Sequence, residues 1–317
     1  MLASILIRPH ISRQVRPQPP MASTRTRFLF VLLLLTLLVN SRQSYAQMPF
    51  YTDDTSTTQI GKFHVEVFEE LDRLPSSQYP DLRQNTANIK VNFSPTRHLE
   101  LDIDAPYIHI SRAEGSETAS GIGDTELGAK YTFREAPPDS ALATFGASLY
   151  VEFPTGSVRQ GLGSGLTDYW LNFIAQKPLS ATTRYNINLG ILFAGNTSTG
   201  AVGIQTRRGQ VYTGGLSLLH DVSSRLTLGA EIYGGISDGA GSDRSQLQVL
   251  MGGQYAIRNG LSLSLGILGG KFGATPRLGG QIGISLDFPD AIQPQGHAGI
   301  DVGSIQKRYD AGPCLDP

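Results

Sequence analysis

Residues 184–194 read "RYNINLGILFA". Tyr185, Ile187, Leu189, Ile191 and Phe193 fall on one face of this segment, and Asn186, Asn188 and Gly190 on the other. Alternation with a period of two marks a β-strand, because successive side chains point to opposite faces of the pleat. A tilted strand of about 9–11 residues is long enough to cross a bilayer. The same pattern recurs between Ile60 and Phe288: a segment of alternating residues, a short polar turn, another segment, then a longer loop. This rhythm is the sequence signature of an outer-membrane β-barrel.

The expected fold is therefore all-β, an antiparallel up-and-down transmembrane β-barrel of about 12 strands. The strands are placed at 60–70, 85–93, 98–108, 122–133, 142–153, 166–177, 184–194, 209–219, 225–236, 245–256, 261–270 and 279–288. The links 94–97, 178–183, 221–224 and 257–260 are short. Those at 71–84, 109–121, 154–165, 195–208 and 237–244 are mostly longer and rich in Gly, Ser, Thr and Arg. Short periplasmic turns and long extracellular loops would put both chain ends in the periplasm. Asn259-Gly260 is a specific hairpin signal, because both residues accept the positive φ of a tight turn.

Composition fits this class. The hydrophobic share is 40%, suited to strands of which only every second residue meets lipid, and charged residues make up 17%. The formal net charge of −1 gives no reason to expect nucleic acid as a partner. The single cysteine, Cys314, has no internal disulfide partner and reads as an incidental tail thiol. Residues 28–39, "FLFVLLLLTLLV", follow Arg25 and Arg27 and have the length of a signal-peptide core. Ser44 and Ala46 place cleavage before Gln47, and Met21 makes the more ordinary start. The expected organisation is an N-terminal extension and signal peptide (1–46), a short lead (47–59), the barrel (60–288) and a flexible periplasmic tail (289–317).

On the lipid side the pattern places Leu101, Ile103, Leu149, Leu171, Leu228 and Leu265, with Tyr107, Tyr131, Tyr169 and Tyr212 among the aromatic residues near strand ends. The opposite face carries the candidate lumen-facing residues. His98, Glu100, Asp102 and Asp104 share one face of "HLELDIDAP"; Glu126, Lys130, Glu152, Asp168, Asn172 and Glu231 occupy inward positions on later strands. Charges of this kind are costly in a dry core, whereas a wet or charge-paired lumen accommodates them. Two uses are open: a salt-bridged interior that stiffens a narrow barrel, or a polar track for a solute. The scattered histidines lack metal-ligand spacing, and the glycine-rich segments 121–124 and 161–165 open no helix, so no metal, cofactor or nucleotide is expected.

Three stretches then carry a resemblance: "GIGDTELGAKYTF" (121–133), "ATFGASLYVEFPTG" (143–156) and "GLGSGLTDYWLNFIAQKPL" (161–179). They resemble the outer-membrane barrel family labelled as the putative MetA-pathway of phenol degradation. The matching positions are Gly121, Gly123, Asp124, Lys130, Tyr131, Phe133, Pro154, Thr155, Gly156, Gly163 and Gly165. The resemblance implies a transporter-like barrel linked to the catabolism of aromatic compounds. It brings no catalytic or binding residues with it. The expected function is an outer-membrane channel for small organic solutes, aromatic ones among them, that pass by diffusion through a polar lumen. The alternatives are a structural or adhesive closed barrel and, with no G-x-S-x-G signature to support it, an outer-membrane hydrolase; the leading expectation is not an enzyme. Expected partners are outer-membrane lipids, the barrel assembly machinery, which reads an aromatic residue such as Phe288 in the last strand, and the solute.

Overall fold

A computed structural model describes residues 48–137, 140, 142–194, 209–237, 245–273 and 275–288. The expected export signal and C-terminal tail, and with them Cys314, lie outside the described residues. Thirteen strands form one antiparallel sheet: β1 (Phe63–Arg73), β2 (Asp81–Phe93), β3 (Leu99–Arg112), β4 (Ala119–Ile122), β5 (Thr125–Arg134), β6 (Thr144–Phe153), β7 (Asp168–Pro178), β8 (Thr183–Ala194), β9 (Gly209–Asp221), β10 (Leu226–Ser237), β11 (Gln246–Arg258), β12 (Leu261–Lys271) and β13 (Leu278–Phe288). Apart from β4 and β5, strands adjacent in the chain pair with each other, and β1 pairs with β13 from Phe63↔Phe288 to Arg73↔Leu278. The sheet thus closes on itself and leaves no edge. β4 and β5 both pair with β3 and share one position in the wall, so the barrel has twelve staves.

The interruption between β4 and β5 has a local cause. Pro106, in the middle of β3, has no N–H to offer the ladder. Opposite it the chain turns at Gly123, whose N–H donates to the Pro106 carbonyl at 2.9 Å. Asp124 leaves the ladder and reaches into the loop after β6. Its Oδ1 accepts the Gly156 N–H at 2.8 Å and its Oδ2 accepts the Ser164 N–H at 2.7 Å. A Cβ on Gly163 would lie 2.3 Å from Asp124 Oδ1, and one on Gly156 would meet the Leu162 carbonyl oxygen at 2.4 Å. The G-x-G-D, P-T-G and G-x-G segments are therefore one assembly, a loop anchor rather than a phosphate cradle. It seats Leu162 against Ile108, Ile110 and Ala119, inside the barrel mouth.

The faces separate as alternation requires. Leu101, Ile103, Leu149, Leu171, Leu228 and Leu265 point outward and are exposed, as are Tyr107, Tyr131, Tyr169 and Tyr212. Asn186, Asn188, Asn172, Glu100 and Glu231 point inward and are buried. The interior is less uniformly polar than the inward residues of β3 to β8 suggest. Leu250, Leu268 and Leu219 occupy inward slots on β11, β12 and β9 and form an apolar patch with Phe50. The Asn259-Gly260 turn joins β11 to β12, with Gly260 at φ +71°. β1 and β2 reach higher than the periodicity indicates, because the β1–β2 ladder continues to Arg73↔Arg83.

Two outcomes test this arrangement. Leu265→Arg puts a cation on the lipid face and should cost about 2–4 kcal/mol near the bilayer midplane, measured by denaturant unfolding in liposomes; unchanged stability would refute the face assignment. Asp124→Ala removes two charge-assisted hydrogen bonds of about 1.5–3 kcal/mol each, so amide exchange at Gly156 and Ser164 should quicken at least about tenfold while the strands keep their protection.

Candidate functional site

The segment before β1, within the short lead of 47–59, lies inside the barrel from residue 48 on. Residues 48–59 run through the lumen as a strap that crosses from one wall to the other. Pro49 and Phe50 lie on β10 to β12, where Gly229, Gly252 and Gly266 pair across the strands in one row. Side chains there would collide with the strap: a Cβ on Gly229 would sit 2.7 Å from Phe50 Cζ, and one on Gly252 2.7 Å from Pro49 Cγ. Glycine at these inward positions gives the strap its room.

Beyond Phe50 the strap is held by polar groups of the wall. Glu231 accepts the backbone N–H of both Tyr51 and Thr52. The Tyr51 hydroxyl donates to Glu70 Oε2 at 2.7 Å and accepts from Gln281 Nε2 at 2.6 Å. Asn188 acts like a strand neighbour: its Oδ1 accepts the Asp53 N–H at 2.6 Å and its Nδ2 donates to the Asp53 carbonyl at 2.9 Å. Asn172 donates to Asn188 Oδ1 at 3.3 Å and fixes the orientation of that amide. Lys130 is the charge centre. Its Nζ lies 3.0 Å from Glu100, 3.4 Å from Asp53 and 3.9 Å from Asp54. Tyr150 donates to Asp53 Oδ2 at 3.2 Å, Thr132 donates to the Thr55 carbonyl at 2.6 Å, and Thr55 binds Gln176. Thr58 donates to Glu100 through both its N–H and its hydroxyl.

The strap splits the interior in two. Toward the long loops lies a cavity of about 250 Å³, bounded by the strap, Tyr150, Trp170 and Leu162. Toward the short turns lies one of about 390 Å³, lined by Thr55, Ser56, Thr57, Arg97, Glu135, Gln176 and Arg184.

The candidate residues read from the sequence fall in four places. Glu100, Lys130, Asn172 and Glu231 hold the strap. Asp104, Glu126, Glu152 and Asp168 line the 250 Å³ cavity. Asp102 is buried next to the Tyr150 ring, since a Cβ on Gly128 would touch both. His98 departs from the expectation. It precedes β3 in the turn at the short-turn rim, where its Nε2 accepts from Arg97 and its Nδ1 lies 3.4 Å from Glu135. The carboxylate of that neighbouring link draws it to the rim instead of the inner wall. The sequence reading missed the strap residues Tyr51 and Asp53, and on the first two strands Glu66, Glu70 and Lys90. Their signal was present: His64, Glu66, Phe68, Glu70 and Asp72 alternate, as do Asn88, Lys90 and Asn92.

No curated protein matches the chain. Among solved structures, the COG4313 outer membrane channel from Pseudomonas putida F1 is similar, with a TM-score of 0.59 and 15% identity over 78% of this chain and 100% of that chain. The NanC porin aligns at a TM-score of 0.47 and 10% identity over 71% of this chain and 98% of its own. At these identities the first likeness speaks for the barrel fold. The sequence model of the family described as "Putative MetA-pathway of phenol degradation" matches residues 49–288, from the strap to the last strand, and the chain belongs to that family.

Proposed function

We propose that this protein is an outer-membrane channel for small organic solutes whose resting lumen is occluded by its own N-terminal strap. The observation that carries the reading is the pair of cavities on either side of one strap. A rigid closed barrel has no need of two cavities, each large enough for several waters, with one segment between them. The contacts between Tyr51 and Thr58 are mostly hydrogen bonds and ion pairs, and water can replace each of them. A net worth of about 0.5–1.5 kcal/mol per hydrogen bond makes withdrawal reversible rather than forbidden. Displacing the strap would join the two cavities into one path. The aromatic residues near the strand ends and the apolar outer face support placement in the outer membrane, with the long loops outside.

Single-channel recording tests the occlusion. Deleting residues 48–58 should raise the conductance severalfold over the full barrel, whereas equal conductance in both would show that the strap does not gate the path. A barrel that folds and stays silent with and without the strap would favour a structural role. Orientation is tested separately. A cysteine at Ser116, exposed in a long loop, should react with a membrane-impermeant thiol reagent on intact cells, and one at Ser223, exposed in a short turn, should not. The opposite labelling would invert the topology.

A further inference from the structure

Above the strap, Lys90 shares one register row with the carboxylates of Asp104, Glu126, Glu152 and Asp168, so that part of the wall holds a counter-charge of its own. At the level of the strap the wall is organised differently, because its side chains take hold of main-chain groups. Glu231 accepts two consecutive backbone N–H groups, those of Tyr51 and Thr52. The Asn188 amide meets both the N–H and the carbonyl of Asp53. Gln176 accepts the Thr55 N–H, Thr132 donates to the Thr55 carbonyl, and Glu100 accepts the Thr58 N–H. Among the described residues, Glu231 and Gln176 form hydrogen bonds only to the strap, and Glu231 is 2% exposed.

This is the donor and acceptor order of an extended peptide. A side-chain amide that pairs with both main-chain groups of one residue does what a neighbouring strand does in a ladder. Main-chain bonds of this kind hold an extended chain whatever its sequence, and pockets for single side chains add preference. Two such pockets are present. Phe50 enters the apolar patch of Leu219, Leu250 and Leu268 over the glycine row. Asp53, three residues on, meets Lys130 Nζ at 3.4 Å and the Tyr150 hydroxyl at 3.2 Å. A hydrocarbon offers the wall none of these groups, and a sugar does not present an N–H and a carbonyl at residue spacing. Once the strap withdraws, Glu231 is a buried acceptor in need of donors, and a peptide main chain supplies them in the order the wall expects.

We propose that the groove under the strap is a peptide-backbone site, and that its solutes are short extended peptides with a large apolar residue three positions before an acidic one. The strap is then a tethered pseudo-ligand, which lies as the solute lies and leaves when the solute binds. This rests on the withdrawal proposed above and adds the chemistry that takes the strap's place. The strap hangs from the turn at the start of the barrel, where the Lys62 N–H donates to the Gln59 carbonyl at 3.0 Å. A segment on so short a tether competes at an effective concentration on the order of millimolar, so a free peptide displaces it in that range.

Amide exchange of the strap in the unmodified, detergent-purified full chain reads the displacement. Three synthetic peptides are compared at millimolar concentration. The first, acetyl-Phe-Tyr-Thr-Asp-Asp-Thr amide, copies residues 50–55. The second is the same peptide N-methylated at the residues that match Thr52 and Asp53, which removes two of the N–H groups the wall accepts and leaves charge and side chains alone. The third, acetyl-Phe-Ser-Ala-Asp-Ser-Ala amide, keeps only the Phe and the first Asp. The first and third peptides should quicken exchange at Tyr51, Thr52 and Asp53 at least about tenfold while the strands keep their protection. The N-methylated peptide should leave it unchanged. An equal effect of the N-methylated peptide would overturn the proposal, as would no effect of the first. An effect of the first but not the third would restrict the groove to the chain's own strap and overturn the solute class. Higher conductance on strap deletion with no peptide effect would keep the gate and remove the peptide site; a peptide effect with unchanged conductance on deletion would do the reverse.

Discussion

Everything inside this protein depends on the seam between the first and last strands. β1 and β13 pair over their whole length, from Phe63↔Phe288 to Arg73↔Leu278. At the short-turn end His64 places Nδ1 2.6 Å from Asp287 and Nε2 3.2 Å from Glu66, tying one strand to the other from inside the barrel. Without the seam, thirteen strands would form an open sheet with two unsatisfied edges, and a lipid environment does not tolerate such edges. With the seam, each inward side chain faces a confined space in which charges must find one another or find a solute.

That confinement explains the strap. An apolar plug would be hard to withdraw from a polar wall and would leave the wall's carboxylates and amides unsatisfied. The strap uses its backbone instead. Glu231, Asn188 and Gln176 take the N–H groups of Tyr51, Thr52, Asp53 and Thr55, and Lys130 gathers Asp53, Asp54 and Glu100 around one ammonium. Its apolar anchoring is confined to one end, where Phe50 packs with Leu219, Leu250 and Leu268, Tyr51 lies against that cluster and Pro49 sits on Gly252 and Gly266. The glycine row beneath it keeps that contact close without fixing it by side-chain interlock. The strap is thus ordered by many modest interactions.

The carboxylate row and the strap are coupled through Tyr150. Its hydroxyl donates to Asp53 on the strap, while its ring stands between Lys90 and Trp170. Tyr150 thus touches both the strap and the wall of the cavity above it.

The sequence by itself determined the class of fold, the faces and the strand order. Alternation in segments such as 184–194 sorts inward from outward residues, and the alternation of short and long links makes consecutive strands antiparallel neighbours. These are local properties, legible because a strand's side-chain period does not depend on its partner. Where the pattern was diluted, as in β1 with Glu69 and Glu70 adjacent, the strand was placed about three residues early. The tertiary structure alone decided two things. The strap has no periodicity, and its partners lie far along the chain, 77 residues away for Asp53 with Lys130 and 180 for Tyr51 with Glu231. The carboxylates could be assigned to a face but not to a level, because shifting a strand by two residues keeps every side chain on its face while changing every neighbour. Register across six strands put Glu66, Lys90, Asp104, Glu126, Glu152 and Asp168 at one height, and only the closed barrel turned that height into the lining of one cavity.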